Sequence, residues 1–243
     1  MTLEWLKRIL IDYWPMYLRG AGLTLYISII GTILGSIIGL LIGTVRTIPM
    51  PDKGIKRILL KIVNIILSIY VEFFRGTPMI VQAMVIYYGT AAALQISLDR
   101  TLAAVFIVSI NTGAYTAEIV RGGIISIDKG QFEAAHAIGM NHIKTMFNVV
   151  LPQVIRNILP AIGNEFVINI KDTSVLNVIS VSELFFTTKT VAGNNFRFAE
   201  AFFIACILYL IMTFTVTRIL RLIERKIEGP ENFVVIPGNQ MQV

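Results

Sequence analysis

The sequence predicts an all-α polytopic membrane protein with five transmembrane helices, and three observations carry that expectation. Of its 243 residues, 55% are hydrophobic and only 15% charged, against about 25% charged in a soluble domain. Mean hydropathy is +0.73. The apolar residues also gather in runs approaching the ~20 that a helix needs to cross a ~30 Å hydrocarbon core. The net charge of +6 fits lysines and arginines on cytoplasmic loops, not nucleic-acid binding. The single cysteine, Cys206, lies in an apolar run, which leaves no disulfide framework and no thiol metal cluster.

Residues 3–18 are interrupted by Glu4, Lys7, Arg8 and Asp12, so they lack the unbroken apolar core of a cleavable signal. With Trp5, Tyr13, Trp14 and Tyr17, residues 1–19 read as an amphipathic interfacial segment. A transmembrane domain is expected over 20–224, and a loose cytoplasmic tail over 225–243, where Pro230, Pro237 and Gly238 fall. The first span, 20–45, carries no charge after Gly20; Gly31, Gly35, Gly39 and Gly43 recur every four residues and form a small-residue stripe for close helix packing. The basic stretch that follows, with Arg46, Lys53, Lys56, Arg57 and Lys61, marks a cytoplasmic loop.

Residues 58–94 would make a helix of about 55 Å if unbroken. Gly76-Thr77-Pro78 offers a stop, with Thr77 suited to cap a new helix and Pro78 to its first position. The expectation is a membrane-entering helix to residue 74 and a second span over 77–94; one long, tilted, kinked helix is the alternative. Further spans fall at 101–120, 152–172 and 198–217. Five spans place the termini on opposite sides. With the N-terminus outside and the C-terminus cytoplasmic, 13 of the 21 basic residues lie inside, as the positive-inside rule requires.

No Gly-x-x-x-x-Gly-Lys-Ser/Thr phosphate loop occurs, so ATP is not expected to bind this chain. Neither a His-Glu-x-x-His metalloprotease motif nor an intramembrane serine-protease motif is present, and no catalytic or metal site is expected. The two histidines, His136 and His142, read as solvated loop residues. Charge inside the spans is the stronger signal, because such groups are costly in lipid and mark paths or partners. Glu165, Asn169 and Asp172 stand at i, i+4 and i+7, on one helical face. They could line a path that receives an ammonium or guanidinium; the competing reading is a solvated span end paired with Lys171. Glu118 with Arg121, and Glu72 with Arg75, are spaced as structural ion pairs. A helix starting at Thr77 would present free N–H groups to an anionic group such as a substrate carboxylate. Between the third and fourth spans, Glu133, Ala134, Ala135 and Gly139 form a short helix with a small face, suited to dock a partner.

Four stretches, in order, resemble permeases of the polar amino-acid ABC importer family. They are Gly22-Leu23-Thr24-Leu25; Glu72-Phe73-Phe74-Arg75-Gly76-Thr77-Pro78-Met79 with Gln82; Ala114-Tyr115-Thr116-Ala117-Glu118-Ile119-Val120-Arg121-Gly122-Gly123; and Glu133-Ala134-Ala135 and Gly139 through Leu151-Pro152-Gln153 to Lys171-Asp172-Thr173-Ser174. The resemblance spans about residues 18–224. It implies the type I importer permease fold, with the loop helix at Glu133, Ala134, Ala135 and Gly139 as the coupling helix. It also implies a prokaryotic cytoplasmic membrane, a second permease subunit (identical or sister), a dimer of ATPase subunits holding ATP and magnesium, and a separate extracytoplasmic amino-acid-binding protein. On that reading Glu165, Asn169, Asp172 and Thr77 belong to the substrate path, and Glu165 beside Asp172 tilts the cargo toward a cationic amino acid. An ion-coupled secondary transporter is the alternative; it predicts paired broken helices in two halves, and only one break, at Gly76-Thr77-Pro78, is found.

Overall fold

The computed structural model describes residues 2–228, and these form nine α-helices with no strand among them. The tail residues 229–243 lie outside the described residues, whereas 225–228 continue the last helix.

Helix α1 (Leu3–Val45) runs for 43 residues without a boundary near residue 20. The expected N-terminal segment is therefore the first part of the same helix. Its buried side packs on the last helix, α9 (Phe198–Glu228): Ile9 and Tyr17 join Ala201, Ile204 and Met212 in one apolar cluster. The Tyr17 hydroxyl donates to the Ala201 carbonyl at 3.3 Å, and the Thr2 amide donates to Glu200 at 3.3 Å. Leu3, Ile11 and Trp14 stay exposed on the other side.

The glycine stripe of α1 lies against α4 (Arg100–Ile125). Gly31 faces Val108, Gly35 faces Thr112, Gly39 faces Thr116 and Gly43 faces Val120. Both sequences advance by four in the same direction, so α1 and α4 run parallel. A Cβ at Gly35 would come 2.7 Å from Thr112 Cβ, and one at Gly43 would come 2.8 Å from the Ala117 carbonyl oxygen. Glycine is required here by backbone approach, not by turn geometry.

Helices α2 (Ile55–Gly76) and α3 (Met79–Leu94) are separate, which decides against one long kinked helix. Pro78 forces the residue before it into extended backbone, and Thr77 sits at φ −123°, ψ 147°. The start of α3 differs from expectation in detail. Pro78 occupies the cap, and the Thr77 hydroxyl donates back to the Phe73 carbonyl at 2.8 Å, so it does not cap α3. Gln82 holds the break: its amide donates to the Phe74 and Thr77 carbonyls, both at 2.9 Å, and accepts from Asn111 of α4 at 2.9 Å.

After α4 come the short helices α5 (Lys129–Ala137) and α6 (His142–Thr145). A π-helical turn, Met146–Val150, leads into α7 (Leu151–Asp172), and a 3-10 turn, Thr173–Ile179, follows it. Helix α8 (Leu184–Asn195) is capped by the buried Glu183, whose carboxylate accepts from Phe185 N at 2.9 Å, Phe186 N at 2.7 Å and the Tyr209 hydroxyl at 3.1 Å. Thr24 of α1 accepts from Leu184 N at 3.2 Å, which ties α1 to this corner.

Among the described residues, four helical stretches are long and apolar enough to cross a membrane: Leu3–Val45, Arg100–Ile125, His142–Ile179 and Phe198–Ile227. The remaining expected span, α3, has 16 residues, about 24 Å at 1.5 Å per residue. It is apolar but shorter than the hydrocarbon core.

Candidate functional site

Two places gather the chemistry: the α5 loop and the polar side of α7. Helix α5 starts at Asp128, whose carboxylate accepts from Gly130 N at 2.7 Å. It stops in a Schellman turn, with Met140 N donating to the Ala135 carbonyl at 3.0 Å and Gly139 N to the His136 carbonyl at 2.9 Å. Gly139 sits at φ +82°, a left-handed conformation that disfavours any side chain. The expected small face therefore divides. Glu133 and Ala134 are exposed, Ala135 is buried against its own chain, and Gly139 serves to end the helix.

Where α4 approaches this loop, Glu118 is ion-paired twice. Arg121 Nη2 lies 2.8 Å from Glu118 Oε2, as the spacing predicted. The other oxygen takes Arg46, the residue that closes α1, and Arg46 also donates to Ser68 of α2 at 3.4 Å. One carboxylate thus links α1, α2 and α4. The expected Glu72–Arg75 pair does not form. The Arg75 guanidinium lies over the Tyr115 ring instead, 5.5 Å from its centroid, because α4 offers an aromatic face that an i, i+3 rule for an isolated helix cannot include.

The α7 residues share a face but not an environment. Asn169 is 4% exposed; its amide donates to Thr32 of α1 at 2.8 Å and Thr112 of α4 at 3.0 Å. It is a bolt between three helices. Glu165 is half-buried and Asp172 exposed, and neither is ion-paired among the described residues. Arg75 and Asp172 both lie within electrostatic reach of Glu165, and Lys171 within reach of Asp172. The two carboxylates thus lack an ion pair among the described residues, while the nearby Arg75 guanidinium rests on the Tyr115 ring.

Residues 57–229 match the family described as "Binding-protein-dependent transport system inner membrane component". The chain belongs to this family. The permease is 39% identical to the glutamine transport system permease protein GlnP of Escherichia coli (strain K12), over 88% of this chain and 94% of the relative. It is 35% identical to the L-cystine transport system permease protein TcyB of Bacillus subtilis (strain 168), over 89% and 88%. It is 33% identical to the arginine transport system permease protein ArtQ of the same organism, over 88% and 94%. Among solved structures, it superposes on a chain of "an amino acid ABC transporter with histidines" at TM-score 0.80 and 34% identity, covering 93% of this chain and all of that one. A chain of the inward-facing MetNI methionine ABC transporter matches at TM-score 0.75 and 19% identity, covering 89% and 98%, which supports the fold alone. The fold is that of a type I ABC importer permease, and the chain is a permease subunit of an amino-acid ABC importer.

Within the permease, sequence reasoning passed over three exposed apolar side chains around α5: Ile138, Ile143 and Phe147. Their signal was present, since they are bulky apolar residues in a connection that also carries Asp128, Lys129, Glu133 and Lys144. Arg46 was also passed over as a partner, having been counted only as loop charge.

Proposed function

We propose that this permease moves a polar amino acid across a prokaryotic cytoplasmic membrane by alternating access, with Glu165 and Asp172 facing the cargo's ammonium and Arg75 supplying the opposite charge for its carboxylate. The observation that carries this reading is the pair of carboxylates on α7 without an ion-pair partner, beside a guanidinium on α2. Charged groups left unpaired in a spanning helix signal a ligand or a path. Asn169 drops out of the path and becomes a structural residue, and the Thr77 hydroxyl is spent on the Phe73 carbonyl. The names of the relatives, with glutamine, cystine and arginine among their cargoes, fit an amino acid whose selectivity a separate binding protein refines.

The driving force comes from a pair of ATPase subunits that hold ATP and magnesium and dock on α5, through Glu133, Ala134 and the apolar Ile138. A second permease subunit completes the pore. The N-terminus lies outside and the C-terminus in the cytoplasm, which puts α5 on the ATPase side. The secondary-transporter alternative loses its basis with the family membership.

The test is reconstitution of the permease with its ATPase in vesicles, with uptake of each of several amino acids measured for wild type, Glu165→Gln and Asp172→Asn. Lost uptake with an intact complex supports the assignment. Unchanged uptake in both variants removes these residues from the path.

A further inference from the structure

A second, differently charged groove lies between α7 and α9, on the side of α7 away from Glu165. It encloses about 270 Å³ and is lined by Val167, Lys171, Leu210, Phe214, Arg218 and Arg221, among others. A smaller cavity of about 140 Å³ adjoins it, sharing Val167 and Arg221 and reaching Glu224. The two helices come close at Gly163, where a Cβ would sit 3.3 Å from Leu220 Cδ1. The groove opens beyond that point, along the antiparallel course of α7 and α9.

Its walls and its charges make contrary demands. Leu210 and Phe214 are exposed on a helix long and apolar enough to span a membrane, so they give the groove an apolar wall. Lys171, Arg218 and Arg221 line the same groove, and none is ion-paired among the described residues. Asp172 is within reach of Lys171, and Glu224 lines the smaller cavity with Arg221, but neither carboxylate closes on its neighbour. The Arg218 guanidinium rests on the Phe214 ring, 4.8 Å from its centroid, which keeps it in the groove. Cations beside hydrocarbon are costly until an anion meets them.

We propose that this groove binds an anionic phospholipid, its phosphate held by Lys171, Arg218 and Arg221 and one acyl chain laid along Leu210, Phe214 and Val167. Basic pockets between membrane helices near an interface suit such headgroups. The long stems of Lys171 and Arg218 let cations from different helical levels converge on one phosphate. A zwitterionic headgroup would bring its own cation among three others. A free phosphate would neutralise the charges but leave the apolar wall unused. A bound headgroup also draws the Lys171 ammonium away from Asp172.

The test is native mass spectrometry of the purified permease complex, titrated with phosphatidylglycerol or phosphatidylcholine of matched acyl chains. Wild type is expected to prefer phosphatidylglycerol by at least about tenfold, a modest share of what three surface cations contribute. The variant K171Q/R218Q/R221Q should lose the preference, while K53Q/K56Q/R57Q, altered in another basic region, should keep it. Equal binding of both lipids by wild type, or an unaltered preference in the groove variant, overturns the proposal. Displacement of phosphatidylglycerol by inorganic phosphate alone also overturns it, by reducing the groove to an anion site. In vesicles, a permease–permease crosslink through Thr217→Cys, made in a Cys206→Ser background, would give the groove to a second copy of the chain and refute lipid occupancy. Should the triple variant fail to assemble, a substitution at Thr213, which lines the groove between Leu210 and Phe214, serves instead: Thr213→Trp fills the groove without changing a charge and must lower lipid binding for the proposal to stand.

Discussion

Along the α1–α4 seam, four glycines meet valines and threonines at a constant step, and no room is left for a methyl group. Along the polar side of α7, two carboxylates stand half-buried or exposed without an ion partner. Both surfaces belong to membrane helices. The first gains its stability from contact, since close packing is the main force available between helices in lipid. The second gives up contact and keeps charge available. Asn169 marks the border: it lies on the α7 face with the carboxylates, yet it bonds only to the seam helices, through Thr32 and Thr112. A residue's helical face therefore does not assign its role; its partner on the next helix does.

The comparison can be broken from either side. Gly39→Leu forces a side chain into a position where even a Cβ would lie 2.8 Å from the Ala117 amide nitrogen. Overpacking costs about 1–3 kcal/mol where neighbours can shift, and more is expected against a backbone atom. Loss of folded protein, followed by detergent melting curves, is the expected outcome; a normal melting curve would show the seam to be compliant. Next in size, Asp172→Asn should lower uptake by about tenfold or more, the scale of a charge-assisted hydrogen bond, with melting unchanged. Asn169→Val should do the reverse. It leaves the Thr32 and Thr112 hydroxyls without their partner, at about 1–3 kcal/mol, and a melting shift with near-normal residual uptake per folded complex would sharpen the division. Glu133→Lys should leave melting unchanged and uncouple ATP hydrolysis from uptake, read as ATPase activity that no longer responds to substrate. The smallest effect is expected of Gly22→Ala. No atom lies within 4 Å of its added methyl, so the change should be neutral, or stabilising by under ~1 kcal/mol through helix propensity.

What the sequence made legible follows the same division. The seam could be read because a glycine every fourth residue in an uncharged run has few other uses in lipid. The break at Gly76-Thr77-Pro78 could be read because proline constrains its predecessor whatever surrounds it. The Glu118–Arg121 pair could be read because both partners lie on one helix. The rest depended on other helices. Asn169 is separated from Thr32 by 137 positions and from Thr112 by 57. Arg75 is taken by Tyr115, and Ala135 is covered by its own chain rather than offered to a partner. The continuity of α1 was hidden for a similar reason: the charges of its first turns suggested a surface helix until α9 supplied an apolar cover for Ile9 and Tyr17.

The parallel register of α1 and α4 also limits how the molecule can deform. Because the contacts repeat at every fourth residue, a slip between the two helices meets a collision at each glycine until it reaches a whole repeat, about 6 Å. Intermediate displacements are incommensurate with the surface. The pair therefore behaves as a single strut, and only Ser126, Ile127 and Asp128 separate its lower end from α5. A displacement of the α4 end next to α5 is therefore expected to carry α1 with it. Any bending must be taken up by joints, and the chain offers them on either side of the carboxylate face: the extended Thr77–Pro78 step after α2 and the 3-10 turn Thr173–Ile179 after α7.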